Sequence, residues 1–296
     1  MAAGLGSGNM DTTTQASFIP SIWGDKLNDF YRAELKAAAF FEDLSDEVVG
    51  GGNIIYIPNI SQMTANTKTQ GSAVTLNDQT SGKVTLTINT WKEVSFLVED
   101  IVDAFWKKSY RMQEKFMKNA GYTVAKELET ALLNLCRGFS QTVGSSALAL
   151  RDSHIRAAIA YLDSANVPEN DRAFFLHPNV IWNQIQGINK FSLLTNTNGA
   201  DPVLKGEVYK LYGIPVIKTS NLGTYLGHRD GMLAGRDALN FATSNLSGGM
   251  SGEGGTVRLQ TQYVQEYLGT LVTADILFGV IENRDTSGVW IKAKSS

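Results

Sequence analysis

The stretch VTLTINTWKEVSFLVEDIVDAFWKKSYRMQEKFMKNAGYTVAKELETALLNLCR (residues 84–137) changes its hydrophobic period part-way along. In the first half Val84, Leu86, Ile88, Val94, Phe96 and Val98 share one parity, the alternation of a half-buried strand. From Glu99 the spacing lengthens. Ile101, Phe105, Met112, Phe116, Ala120, Val124, Leu128, Leu132 and Leu135 keep a helical period until Gly138. Glu99, Asp100 and Asp103 suit the positive end of a helix dipole, and Arg137 suits its negative end. A helix over 99–137 would span roughly 58 Å at about 1.5 Å per residue, the length of a spine.

Upstream, Gly50, Gly51 and Gly52 interrupt the chain, and NIIYIPNI (53–60) reads as a short strand that Pro58 assigns to an edge or a bulge. Residues 61–83, between the two strands, hold only five apolar side chains: Met63, Ala65, Ala73, Val74 and Leu76. Loops beyond about 15 residues are uncommon inside a compact domain, so this segment is either disordered or a projecting hairpin whose contacts lie elsewhere. With about 11 residues per arm such a hairpin reaches roughly 35 Å, well past its own domain. Nearer the start, residues 18–49 place Ile22, Trp23, Leu27, Phe30 and Tyr31 at helical spacing. Residues 1–48 set eight acids against Lys26, Arg32 and Lys36, a charge of −5. A solvated helix on a core and an arm that crosses a neighbour fit that pattern equally well.

Downstream, a Ser/Gly linker at 138–146 leads into alternating helices and strands. Residues 152–165 carry Ile155, Ala158, Ile159 and Leu162 on one face, with Asp152 as the expected cap and Pro168 beyond the end. RAFFLH (172–177) is a short buried strand, and Pro178 opens a helix that Gly187 stops. VYKLYGIPVIKTSNL gives two strand halves about Gly213, and DGMLAGRDALNFA gives a turn, a strand and one helical turn. GGMSGEGG (248–255) reads as a loop. The chain from Val257 reads as long strands with Val257, Leu259, Thr261 and Tyr263 on one face.

Composition excludes several function classes. The 296 residues are 43% hydrophobic and 19% charged, with a net charge of −3, an ordered and mildly acidic chain rather than a nucleic-acid glove. Cys136 is the only cysteine, which excludes an internal disulfide and any multi-cysteine metal site and fits a reducing compartment. Residues 1–15 have neither the cationic nor the apolar region of a signal peptide, and no run of about 18 apolar residues occurs, so neither secretion nor membrane spanning is expected. His154, His177 and His228 fall in separate elements without metal-pair spacing, Gly4, Gly6 and Gly8 lack the strand that a dinucleotide loop needs, and no nucleophile elbow is present. No cofactor and no catalytic residue is expected. One charge feature stands out: Lys107, Lys108, Arg111, Lys115 and Lys118 oppose only Glu114, a local charge of +4. It is either a solvated helix face or a surface turned to a polyanion.

PSIWGDKLNDFYR (20–32), the hairpin from GGNIIYIPNI (51–60) to VEDI (98–101), and LYGIPVIKTSNL (211–222) with DGMLAG (230–235) together resemble the major capsid proteins of tailed bacteriophages, the Hong Kong 97-type fold, in its podovirus-like branch. The resemblance implies an α+β fold with an N-terminal arm at 1–48, an extended loop at 49–98, a peripheral domain at 99–145 with 257–296, and an axial domain at 146–256. It further implies a non-enzymatic protein that assembles with itself into hexamers and pentamers of an icosahedral head around double-stranded DNA. Scaffolding, portal and decoration proteins are the implied partners, and the implied location is the virion, after assembly in the host bacterial cytoplasm. Met63, Lys68, Val74, Leu76 and Lys83 become candidate inter-subunit contacts on the loop, and Lys107, Lys108, Arg111, Lys115 and Lys118 a candidate genome-facing patch. Some family members cross-link covalently through a loop lysine, but nothing in this sequence identifies a partner for Lys68 or Lys83. A hairpin, an arm and a long spine are each poorly supported in a monomer, whereas a shell buries all three between copies. An encapsulin-like compartment shell shares these features. A soluble α+β enzyme with an unrecognised site is the remaining alternative.

Overall fold

The structure, a computed structural model, describes residues 35–48, 51–60, 62–77, 81–105, 112–185, 188, 210–244, 246, 250–251 and 257–295. The described chain opens with α1 (Ala37–Phe40), β1 (Glu42–Asp43), β2 (Ile54–Ile60), β3 (Ser81–Thr87), β4 (Thr90–Glu99), α2 (Asp100–Phe105) and α3 (Met112–Asn134). There follow β5 (Thr142–Gly144), α4 (Asp152–Ser164), β6 (Arg172–Leu176), α5 (Pro178–Val180), β7 (Lys210–Leu211), β8 (Ile214–Lys218), β9 (Thr224–Tyr225) and β10 (His228–Gly235). The last strands are β11 (Leu239–Ser244), β12 (Met250–Ser251), β13 (Arg258–Val264), β14 (Gly269–Glu282) and β15 (Gly288–Lys294).

The first sheet is built around β14, whose fourteen residues pair with β13 and then β11 along one edge and with β4 along the other. α3 lies on it. Ala120, Val124, Leu128, Leu132 and Leu133 are buried with Ala274, Ile276 and Phe278 of β14, as the helical period requires. At the start of this core the chain enters over α3, where the buried carboxylate of Glu129 accepts the backbone N–H of Lys36 at 2.9 Å and of Ala37 at 2.8 Å. Those donors have no helical partner at the opening of α1, and the carboxylate satisfies them.

The second sheet runs β5-β15-β10-β6-β8-β7, with β9 against β10. Its central strands are covered on both faces, so their sequences are continuously apolar rather than alternating. Phe174, Leu233 and Val289 face α4, while Phe175, Met232 and Trp290 face the core beneath α3. A tight turn joins β7 to β8 through Tyr212 and Gly213, at φ +51° and +85°. Positive φ at both central residues is the hairpin geometry whose twist matches the strands.

The structure departs from the sequence reading in several places. The alternating run at 84–98 is two strands, broken at Ile88 and Asn89, with β3 paired to β2 and β4 to β14. Parity survives the break because Leu86, Ile88 and Val98 are all buried. The spine is helical at Asp100–Phe105 and Met112–Asn134 and closes in a 3₁₀ turn at Leu135–Gly138; Ile101, 61% exposed, does not join its buried stripe. The expected helical turn after Ala238 is strand β11, drawn into the first sheet by pairing with β14. The N-terminus of α4 is closed by the ring of His154, which accepts the N–H of Arg151 at 3.2 Å, rather than by Asp152, which pairs with Arg156. β11 (239–244) sits in the sheet of β14 and β15 (288–294) in the sheet of β10, so strand pairing crosses the expected division between 146–256 and 257–296. The helix expected around Ile22 to Tyr31 lies outside the described residues.

Candidate inter-subunit surfaces

β2 and β3 form a two-stranded ribbon in register from Ile54 opposite Thr87 to Ile60 opposite Ser81. One face is anchored. Ile55, Leu86 and Ile88 pack with Val48 and Ala242 in a small core of their own. The other face turns Ile54, Tyr56 and Ile60 to solvent, three positions that the sequence reading did not single out. Their signal was present, because a strand apolar at nearly every position has no polar face to show water.

Beyond the ribbon, residues 62–77 run without regular secondary structure and are held by polar contacts of their own. The Asn66 amide donates to Asn77 Oδ1 at 2.6 Å across the two arms, and the tip turns from Thr69 to Ser72 with Gly71 at φ +81°. Lys68 folds onto this turn, donating to the carbonyls of Thr69 and Ser72. Lys83 lies 4.0 Å from the centre of the Tyr56 ring. The five candidate contact residues therefore divide: Lys68 and Lys83 are engaged within the hairpin, while Met63, Val74 and Leu76 stand exposed, Leu76 at 86%.

A second surface lies on the first sheet. Among the described residues β4 pairs with β14 alone, so its outer edge is open. Between that edge and α3 runs an apolar cavity of about 330 Å³, lined by Val94, Phe96, Leu97 and Val98 from the strand and by Phe116, Asn119, Ala120 and Thr123 from the helix. The strand itself is tied inward: Trp91 Nε1 donates to Asp275 at 3.0 Å, and Arg258 donates to both oxygens of the same carboxylate. The guanidinium holds the Asp275 carboxyl below the usual range.

Of the basic stretch, Lys107, Lys108 and Arg111 lie outside the described residues. Lys115 is half-buried, and Lys118 pairs with Glu114 at 2.9 Å, one turn apart on the helix. The remaining chemistry-bearing groups are structural in their contacts. Cys136 is buried and its thiol is pushed up by burial beside Asp230, which leaves it a poor nucleophile. His177 accepts the N–H of Asn179 at the start of α5. No group of three or more His, Cys, Asp or Glu among the described residues is arranged to hold a metal ion, and no helix among them is long and apolar enough to cross a membrane.

No family model and no curated protein matches the chain. Solved structures do. A chain of Mycobacterium phage Che8 superposes with a TM-score of 0.76 at 18% identity, over 93% of this chain and 97% of that one. The capsid of cyanophage P-SCSP1u gives 0.75 at 15% identity, over 98% and 97%. The mature capsid of bacteriophage PhiM1 gives 0.74 at 11% identity, over 94% and 93%. At these identities the likeness is one of fold, end to end on both sides, and the α+β capsid fold expected from the sequence is the fold of this chain.

Proposed function

We propose that this chain is the major capsid protein of a tailed bacteriophage, a structural rather than catalytic protein that assembles with itself into a closed icosahedral shell of hexamers and pentamers around double-stranded DNA. The observation that carries the reading is the correspondence in fold with capsid chains along nearly their whole length. The exposure of Ile60, Met63, Val74 and Leu76 supports it, because apolar side chains gathered on a projection mark a surface that closes against a partner. In this reading 1–48 serves as the N-terminal arm, the ribbon of β2 and β3 as the extended loop with residues 61–83 lying on an adjacent subunit, the sheet of β14 with α3 as the peripheral domain, and the sheet of β10 with α4 as the axial domain, so that β11 and β15 fall on the far sides of the boundary expected at 256. The stretch from Lys107 to Lys118 faces packaged DNA or the acidic arm, and scaffolding, portal and decoration proteins complete the virion, built in the host cytoplasm.

Light scattering and negative-stain microscopy of the purified chain, alone and with a scaffold, test this. Uniform closed particles are expected. A monodisperse monomer under every condition overturns the reading, and particles that hold protein cargo but no nucleic acid would favour the compartment shell instead.

A further inference from the structure

The extended loop and the open edge of β4 are complementary in chemistry, exposed apolar side chains on one and an apolar cavity on the other. Along β4 the half from Val94 to Val98 carries no charge and no proline, the devices that usually keep an edge from pairing, and the charges of the strand flank it, Lys92 and Glu93 before and Glu99 after. An added strand would lie about 4.8 Å beyond this edge, and its inward side chains would then stand over the cavity between β4 and α3. Residues 73–77 of the loop, AVTLN, are in no regular secondary structure and pair with no strand among the described residues. Val74 and Leu76 share one parity, and Asn77, on the opposite parity, is committed to the other arm through Asn66. A strand of five residues covers roughly 17 Å, enough to span Val94 to Val98.

Within one chain the two surfaces do not meet. Leu76 and Val74 are 86% and 67% exposed, and Leu97 at the mouth of the cavity is 36% exposed. We infer that the free edge of β4 receives residues 73–77 of a second copy as an added strand, with Val74 and Leu76 of that copy filling the cavity lined by Phe96, Leu97, Phe116 and Thr123. Main-chain pairing supplies affinity in this mode, and alternate side chains in the cavity supply the register. The inference rests on the reading that the chain assembles into a shell.

The test uses particles of the full chain. Leu76→Cys combined with Asn119→Cys, and Val74→Cys with Thr123→Cys as a second register, should give a ladder of covalent multimers on a non-reducing gel after oxidation. Cysteines join only when their Cα atoms come within about 7 Å, and the single variants should give no ladder. Hydrogen exchange on wild-type particles reads the same contact without substitution, and alternate amides of 90–99 should lose exchange on assembly. Particles that form without a ladder from either pair and without that loss overturn the inference alone. A wild-type chain that never assembles overturns the shell reading and this inference with it. A ladder from Leu27→Cys with Asn119→Cys, and none from the loop positions, assigns the cavity to the amino-terminal segment and overturns the inference too.

Discussion

The guanidinium of Arg137 donates from Nε and Nη2 to the same oxygen of Asp230, at 3.0 and 2.7 Å, and so ties the end of the spine to the middle of the second sheet. The indole of Trp290 donates to the other oxygen at 3.1 Å, and the carboxylate is 2% exposed. Removing the cation leaves a buried carboxylate with the Trp290 indole and, at 3.5 Å, the buried His228 Nε2 beside it. Arg137→Ala should cost about 3–5 kcal/mol of subunit stability, read as a lower denaturant midpoint, and Arg137→Lys should recover part of it by restoring the charge without the fork.

Glu282 lies at the end of β14 beside Gly138 and Asp285, and burial with the neighbouring carboxylate raises it to about 6. Asp285 is held low by Ser140, whose backbone N–H donates to it at 2.7 Å, so Glu282 is the partner that takes the proton. A raised carboxyl binds more protons folded than unfolded. Its stabilising contribution is complete below about 4.5 and is lost as the pH rises through about 6. Unfolding of the wild type measured from pH 4.5 to 7 should show that slope, and Glu282→Gln should flatten it and be the more stable protein above pH 6.

Core and loop positions should separate stability from assembly. Leu132→Ala, in the buried stripe of α3, should cost about 2–5 kcal/mol by calorimetry or denaturant titration. Leu76→Ala should change subunit stability by less than about 0.5 kcal/mol, because an exposed side chain loses little packing, yet lower the yield of particles. Deleting Thr64 to Asp78 should leave subunits with native circular dichroism and no shells.

Replacing Lys107, Lys108 and Lys115 by glutamine distinguishes the two fates of the basic stretch. Empty but intact shells that fail to retain DNA, with retention in the wild type weakening as salt rises, are expected if the stretch faces the genome. Failure to assemble at all is expected if it pairs with the acidic arm.

What one segment does with itself was legible in the residues alone. The period change at Glu99, the buried stripe from Ala120 to Leu132, the exposed polar segment between β2 and β3, and Cys136 as a packed side chain all rest on spacing and composition, which act over a few residues. The order of elements was enough to raise the capsid resemblance. Which strand lies beside which was not legible. β11 was expected as a helical turn because Leu239 to Ala242 is too short to show a period, and only its pairing with β14 makes it a strand. Leu44 and Phe241 are joined by a backbone hydrogen bond across nearly two hundred residues, and Gly288 has no room for a side chain because the ring of Phe139 occupies that space. The open edge of β4 and the cavity beside it belong to the same class. They exist only once β14 has taken β13 and β11 on its far side, since an edge is a property of the whole sheet and is written in no single strand.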